Sequence, residues 1–166
     1  MNALAMIADR FHDACMGGEG WEACQRYCLP DATFSHEGSM LADCRTVEAY
    51  TEHVKAMLTP IPNFRREVRA IAVDEDQSQV IVHYLMKGTH TDEGAPHPPT
   101  GKGFASNSVL VFEFEGELIR HVTKVWNDGF TLQQIGWLEP YVGLHHPSVP
   151  GPPLNGPATR AVTQLP

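Results

Sequence analysis

Apolar residues recur at helical spacing in the first third of the chain. Three helices and one short strand are predicted there: helices over residues 3–16, 21–29 and 47–58, and a strand over residues 32–36. Gly17 and Gly18 end the first helix, and Pro30 ends the second. Thr46 is placed to cap the third helix, which Pro60 terminates. The chain therefore begins with helices.

The rest of the domain is rich in Val, Ile, Phe and Thr, which is typical of strands. Four long strands are predicted, over residues 64–73, 79–90, 103–115 and 117–126, with a short final helix over residues 130–137. Glu115 and Gly116 are read as the tight turn of a hairpin. Helices followed by sequential strands predict an α+β domain, in which N-terminal helices pack in a curved mixed or antiparallel sheet.

Several of these strands are apolar on both faces. Val80 and Val82 lie on one side of their strand, whereas Ile81 and Leu85 lie on the other. One face covers the helices, and no helix is left in the sequence to cover the second. A sheet from another subunit is the economical cover, so the sequence predicts a homodimer or a larger assembly.

Composition excludes several classes of function. The chain has 166 residues, and its 20 acidic against 12 basic side chains give a net charge of −8, which disfavours nucleic-acid binding. No stretch approaches the roughly 18 apolar residues of a membrane span. The N-terminus lacks a basic region, so we expect a cytoplasmic protein whose four cysteines are reduced.

The chain changes character near Glu139. Seven of the thirteen prolines lie from Pro140 onward, and Arg160 is the only charged side chain there. We therefore expect a compact domain over residues 1–140 and a proline-rich extended or disordered tail over residues 141–166.

Three motifs stand in order in the second half of the chain. They are Gly88-Thr89-His90 with Pro98-Pro99-Thr100-Gly101-Lys102, the hairpin Phe112 to Ile119, and Trp126-Asn127-Asp128 followed by Gln133-Gln134-Ile135-Gly136. Over about residues 1–138 the chain resembles the SnoaL-like polyketide cyclases, also called ester cyclases, of the nuclear transport factor 2-like superfamily. The resemblance implies a cone-shaped fold that is open at one end.

The same resemblance implies a chemistry. In these cyclases an aspartate at the end of the last long strand removes a proton from the substrate, with no metal or cofactor. Asp128 is nearest that position, and burial beside aromatic neighbours would raise the pKa of its carboxyl toward that of a useful base. Counting from the Gln-Ile-Gly anchor favours Asn127 instead, which could bind a carbonyl but not take its proton. Capping of the final helix is the alternative role for Asp128.

Histidines supply the second group of candidates. His36, His83 and His121 could line the cone, where a neutral imidazole would hydrogen-bond a carbonyl or, as expected for His121, move a proton. Asn107 is unusual inside a strand and is a candidate for pocket lining, and Trp126 could be both core and ligand platform. The histidine spacings contain no strong metal motif, so no metal site is expected. His90 is expected to be structural.

Two classes of function remain open. The first is a cofactor-independent polyketide cyclase or isomerase, less readily a dehydratase or epoxide hydrolase, that acts on a hydrophobic carbonyl compound through Asp128. The second is a non-catalytic small-molecule-binding or dimerisation module with the same fold.

Overall fold

The computed structural model describes residues 2–139. It has four helices, α1 Ala3–Met16, α2 Gly20–Cys24, α3 Val47–Leu58 and α4 Asp128–Gln134. Its five strands are β1 Cys28–His36, β2 Arg65–Asp74, β3 Gln79–Thr89, β4 Gly103–Glu115 and β5 Leu118–Trp126. The α+β class is confirmed. The tail predicted for residues 141–166 lies outside the described residues.

Helix α1 begins and ends where its sequence dictates. The Asn2 side-chain oxygen accepts the backbone N–H of Leu4 at 2.9 Å, which caps the helix. Its buried face packs into the core through Ala8, Phe11 and Cys15. Gly18 has φ of +76°, and a Cβ there would lie only 2.8 Å from the side chain of Leu58. Glycine is therefore favoured at this turn, because L side chains rarely adopt a positive φ.

The second helix is shorter than predicted, and the first strand is longer. Helix α2 ends at Cys24, a 3₁₀ turn follows over Gln25–Tyr27, and β1 starts at Cys28 rather than at residue 32. Pro30 cannot continue a helix, but it is tolerated in an edge strand because one side of such a strand makes no ladder hydrogen bonds. Strand β1 is such an edge, and its register with β5 shifts between Cys28 and Thr33.

The sheet has the order β1-β5-β4-β3-β2. Strand β1 is parallel to β5, and the other neighbours are antiparallel, so the sheet is mixed. Successive side chains alternate between an inner face, which packs on the helices, and an outer face. The inner face includes Val82, Tyr84, Met86, Leu110, Phe112, Val122, Lys124 and Trp126. The outer face includes Ile81, His83, Leu85, Asn107, Val109, His121, Thr123 and Val125.

His90 joins segments that are far apart in the sequence. Its Nδ1 accepts the indole N–H of Trp137 at 3.1 Å and the backbone N–H of Thr100 at 3.3 Å. Both partners can only donate, so the imidazole proton is on Nε2. Thr100 also donates its hydroxyl to the Ile135 carbonyl at 2.7 Å. His90 and Thr100 therefore hold the segment after α4, through Ile135 and Trp137, against the sheet.

The four cysteines are buried free thiols. Burial raises the pKa of Cys28 to about 12, so this side chain stays a thiol at neutral pH. Within residues 2–139, no helix is long and apolar enough to cross a membrane.

Candidate functional site

An apolar cavity of about 80 Å³ lies between the inner face and helices α3 and α4. Its wall is made largely of aliphatic and aromatic side chains: Met16, Met40, Val54, Met57, Leu58, Ile61, Phe64, Met86, Phe104, Trp126, Leu132, Ile135 and Trp137. His53, Lys124 and Thr131 complete it, and none of the lining residues is acidic. The four methionines make this wall adaptable, since Met changes rotamer easily.

Lys124 brings a charge into this apolar surrounding. It lies on the inner face of β5 and is only 5% exposed. Its Nζ donates to the Tyr50 hydroxyl at 3.4 Å and lies 4.7 Å from the centre of the Trp126 ring. Among residues 2–139, no carboxylate forms an ion pair with it. Aromatic faces and one hydroxyl therefore hold a buried cation whose remaining N–H groups are available to a ligand.

His53 is the second titratable group of the cavity. It is half-buried on α3, and burial lowers the pKa of its imidazole, to which the charge of Lys124 adds a further decrease. His53 is therefore neutral at pH 7 and can accept a proton. A neutral base and a cation thus line one apolar cavity.

A layer of buried polar side chains lies behind Lys124. Tyr50 stacks on Phe34 with ring centres 4.2 Å apart, and burial raises its pKa well above 10, with a smaller contribution from Tyr84. The Tyr84 hydroxyl has no hydrogen-bond partner within 3.5 Å among the described residues. Its ring packs edge-on against His12 with centres 4.2 Å apart. Tyr50 therefore stays protonated and can accept the hydrogen bond from the ammonium group.

His12 connects this layer to the surface. Its Nδ1 accepts from Arg66 at 3.1 Å, and the Arg66 guanidinium is held by Asp13 at 2.8 Å. Burial, and then the charge of Arg66, lowers the pKa of His12 to about 2. The imidazole is therefore neutral at every physiological pH.

Asp128, the predicted base, lies outside the cavity lining. Its Oδ2 accepts the Ser39 hydroxyl at 2.9 Å and the backbone N–H of Met40 at 2.8 Å. Its Oδ1 accepts the N–H of Gly129. The carboxylate thus fixes the loop after β1, which brings Met40 into the cavity wall.

Asn127 is the N-cap of α4, the role expected alternatively for Asp128. Its side-chain oxygen accepts the N–H of Phe130 at 2.9 Å, and the residue is exposed. Strand β5 ends just before it, and neither Asn127 nor the buried Asp128 lines the cavity, unlike Lys124 and Trp126. Trp126 does line the cavity, and its indole N–H donates to Thr131 at 3.0 Å.

Three other predicted residues lie on the outer face, which corrects the expectation that they share the cone. His83 Nε2 and Asn107 Oδ1 are 3.0 Å apart. His121 contacts Thr33 through Nδ1 at 2.6 Å. The reason is strand alternation: Tyr84 and Val122 are inward, so their neighbours in sequence point outward.

His36 has the inward direction but does not reach the cavity lining. Its ring stacks on Phe34 with centres 5.8 Å apart, and its Nε2 accepts from Arg45 at 3.2 Å. Its Nδ1 is buried with no partner among residues 2–139. His36 is therefore partly buried at the end of β1, beside Phe34 and outside the cavity.

The predictions missed Lys124, His53 and Tyr50. A signal for Lys124 was present, because it stands two residues before Trp126 and so shares its face of the strand. Tyr50 belongs to the apolar stripe of α3, and His53 follows it by one helical turn. In the described part of the chain, no three His, Cys, Asp or Glu side chains converge as a metal site.

Comparison with known proteins shows the family. Residues 6–135 match the family model of the SnoaL-like polyketide cyclases. The chain belongs to this family. No curated protein matches the chain.

Solved structures show the same fold. IdmH from Streptomyces antibioticus, named as a candidate polyketide cyclase, is 18% identical with a TM-score of 0.68, covering 81% of this chain and 99% of its own. AclR from Streptomyces galilaeus, named as a candidate hydroxylase, is 18% identical with a TM-score of 0.62, covering 81% and 85%. An NTF2-like protein from Burkholderia thailandensis is 16% identical with a TM-score of 0.61, covering 81% and 98%. The cone-shaped fold is therefore confirmed.

Within this SnoaL-like frame, the last strand directs a lysine into the cavity. The resemblance implied an aspartate near the end of that strand, but the inward residues of β5 at the cavity are Lys124 and Trp126. The nearest following carboxylate, Asp128, is engaged with Ser39 and Met40. The cavity thus offers a cation and an imidazole, not a carboxylate.

Proposed function

We propose that this SnoaL-like protein is a cofactor-independent enzyme of the cyclase or isomerase type, which removes a proton beside the carbonyl of a small hydrophobic compound. The observation that carries the proposal is the buried Lys124 ammonium group, which pairs with no carboxylate among residues 2–139, in an apolar cavity that it shares with the neutral His53. A cation in a water-poor site stabilises negative charge far better than it does in water.

The chemistry follows from these two groups. His53 takes the proton from the carbon, the C–H electron pair forms a C=C bond, and the carbonyl oxygen gains negative charge next to Lys124. In a cyclisation, the enolate carbon then attacks a second carbonyl of the same molecule, and the new alkoxide takes the proton from His53. In an isomerisation, the proton returns to a different carbon. Neither route consumes an oxidant or a reductant.

This proposal moves the role of base from Asp128 to His53. Asp128 accepts three hydrogen bonds, from the Ser39 hydroxyl and from the backbone N–H groups of Met40 and Gly129, so its oxygen atoms are engaged with the protein. It acts in the proposal as a positioning residue for the loop that carries Met40.

Hydrogen–deuterium exchange at the α-carbon of 2-octanone in D₂O, followed by NMR, tests the proposal. The protein should accelerate exchange, and Lys124→Met or His53→Gln should each reduce the rate by about 100-fold. His83→Ala, on the outer face, is the matched control and should leave the rate unchanged. Because the pKa of His53 is lowered from about 6.5, the rate should be constant from about pH 7 to 8 and fall only in acid.

A non-catalytic module of the same fold gives a different result. It would bind 2-octanone without accelerating exchange in any variant, and tryptophan fluorescence can report that binding because Trp126 and Trp137 line the cavity. That outcome would contradict the enzymatic proposal and establish the binding protein instead.

We also propose that the outer face is the interface of a homodimer. Ile81 is 39% and Val125 is 53% exposed there, and His83 Nε2 bonds Asn107 Oδ1 on the same face. A face of this kind can meet its own copy across a two-fold axis. Light scattering should give twice the mass of an 18.4 kDa chain, and a monomer at micromolar concentration would overturn the idea.

A further inference from the structure

The outer face of the sheet carries opposite charges at its two ends. Residues that stand directly opposite one another on β2, β3 and β4 share a face and form rows across it. Five such rows cross the outer face. The first row is Asp74, Gln79 and Glu113, and the fifth is Arg65, Lys87 and Ala105. One end row therefore holds two carboxylates, and the other holds two cations.

The turns at the first end add to its negative charge. Glu75 and Asp76 follow β2 directly, and Glu115 ends β4. Arg120 offsets part of this charge through its ion pair with Glu113 at 2.6 Å. Because four carboxylates lie in or beside the row against this one cation, we call it the acidic end.

The opposite end, which we call the basic end, has an excess of positive charge. Arg65 and Lys87 stand directly opposite each other, a pairing of like charges that is unfavourable without an anion. Lys87 bonds Glu67 at 2.8 Å, but Glu67 is also shared with Arg69 at 3.3 Å. Within residues 2–139, the Arg65 guanidinium forms no ion pair. Its planar fork is therefore available to a carboxylate of another molecule.

The three rows between the two ends are mostly apolar. They consist of Ala72, Ile81 and Val111, of Ala70, His83 and Val109, and of Glu67, Leu85 and Asn107. An apolar centre with a polar rim is the usual composition of a protein interface. On this face the polar rim is divided into one acidic end and one basic end.

Symmetry converts this division into an orientation. Two copies that meet through the same face are related by a two-fold axis in the plane of the interface. If the axis lies along the strands, each row meets its own copy, so cations face cations and carboxylates face carboxylates. If the axis lies across the strands, the first row meets the fifth and the third meets itself. Like charges that face each other oppose association and opposite charges favour it, so the charges favour the second arrangement.

We propose that the outer face binds a second copy of this chain with the two-fold axis across the strands, so that the basic end of each subunit faces the acidic end of the other. Arg65 then faces Asp74 of the partner subunit, and Lys87 faces Gln79 of the partner subunit, between its two carboxylates. Strand β3 of one subunit runs antiparallel to β3 of the other. This inference rests on the homodimer proposed above and adds its orientation, and it does not depend on the chemistry of the cavity.

Substitutions of Gln79 test the orientation through the sign of their effect. Sedimentation equilibrium of the full chain at low salt measures the dissociation constant of the dimer. Gln79→Glu should tighten the dimer about fivefold, because each new carboxylate faces Lys87 of the partner subunit, and Gln79→Lys should weaken it about fivefold. About 0.3 M salt should reduce both changes. With the axis along the strands, both effects would have the opposite sign.

Gln25 supplies the matched control. It is exposed in the 3₁₀ turn between α2 and β1, away from the five rows. Gln25→Glu and Gln25→Lys change the net charge by the same amounts as the substitutions of Gln79. Both should leave the dissociation constant unchanged, which separates a facing contact from the general repulsion between two acidic chains.

A mixture of two variants tests whether the end rows face each other. Gln79→Lys alone places its new cation opposite Lys87 of the partner subunit. When the partner carries Lys87→Glu, the same contact becomes attractive. A labelled Gln79→Lys protein should therefore bind Lys87→Glu about fivefold more tightly than it binds itself, and equal affinities would contradict the orientation.

The outcomes separate this inference from the proposals above. A wild-type protein that is monomeric at micromolar concentration would overturn the homodimer and this inference together. A wild-type dimer that is tightened by Gln79→Lys, or that responds to neither substitution of Gln79, would overturn the orientation alone. The roles of Lys124 and His53 are tested separately by the exchange assay.

Discussion

Both faces of the sheet carry polar residues in the middle of their strands, but the surroundings of these residues differ between the two faces. On the outer face, His83 and His121 each contact a polar partner, Asn107 and Thr33, in a partly exposed setting. On the inner face, Lys124 is buried among aromatic rings, and the Tyr84 hydroxyl has no partner among the described residues. The outer polar groups contact one another, whereas on the inner face Lys124 lines the cavity, where a ligand can reach it.

The inner arrangement costs stability. A buried ion loses several kcal/mol of hydration, of which cation–π contacts return roughly 1–2 kcal/mol. A cluster with such a cost, at the wall of a cavity, is typical of a functional site. Four experiments test this difference between the two faces.

The largest expected effect is at Lys124. Lys124→Met should reduce α-proton exchange by about 100-fold and at the same time raise the free energy of unfolding by about 1 kcal/mol, since Met fits the apolar wall without desolvation. Urea denaturation measures the second effect. Lys55→Met, at an exposed position of α3, should change neither quantity. A Lys124→Met protein that is both less stable and fully active would show that Lys124 supports the fold and not the reaction.

The buried His12 should make the free energy of unfolding depend on pH in acid. Its pKa is about 2 in the folded state and about 6.5 when unfolded, so protons bind the unfolded chain first. Stability is therefore complete above about pH 6.5 and falls by about 1.4 kcal/mol per unit as the pH decreases toward 2. In His12→Gln, urea unfolding from pH 6 to pH 4 should show a slope reduced by that amount. His121→Gln, on the outer face, should keep the slope.

Asp128 distinguishes positioning from catalysis. Asp128→Asn removes charge-assisted hydrogen bonds to Ser39 and Met40 and should reduce stability by about 1–2 kcal/mol, while exchange falls only a few-fold. Thermal unfolding and the NMR assay measure the two effects. Asp31→Asn, at an exposed position of β1, is the control. A 100-fold loss of exchange with unchanged stability would make Asp128 the base after all.

The smallest effect is expected on the outer face. His83→Ala and His121→Ala should change the exchange rate less than about twofold, because neither side chain lines the cavity. The same proteins report on assembly, since loss of the dimer without loss of exchange would show that the interface and the site are independent. If either variant remains dimeric but loses most of its α-proton exchange rate, the substituted histidine takes part in the reaction.

The sequence predicted the fold far better than the site. Long periodic segments such as α1, α3 and β4 were located within a few residues, because apolar spacing and terminal Gly, Thr and Pro determine them locally. The boundary between α2 and β1 was wrong, since Pro30 ends a helix but is also accepted at a sheet edge.

The site was harder because it depends on direction and burial. Histidines and Asn107 attract attention as residue types, but a shift of one residue along a strand moves a side chain to the opposite face. The spacing of Lys124 and Trp126 shows only that the two side chains share a face of the strand, and the packing of Trp126 and Tyr50 around Lys124 shows that it is buried. The motif residues around His90 identified the family correctly, yet in the structure they fasten segments together and lie outside the cavity lining.

The methionine content of the wall has a spectroscopic consequence. Met16, Met40, Met57 and Met86 are four of the six methionines in the chain, and all four contact the same cavity. A protein labelled with ¹³C only at its methionine methyl groups would therefore give a spectrum dominated by that space. Each signal would report on a different element, namely α1, the loop held by Asp128, α3 and β3. The methionine signals would therefore show whether the cavity is occupied and which elements a bound molecule contacts. Assignment of the backbone resonances would not be needed.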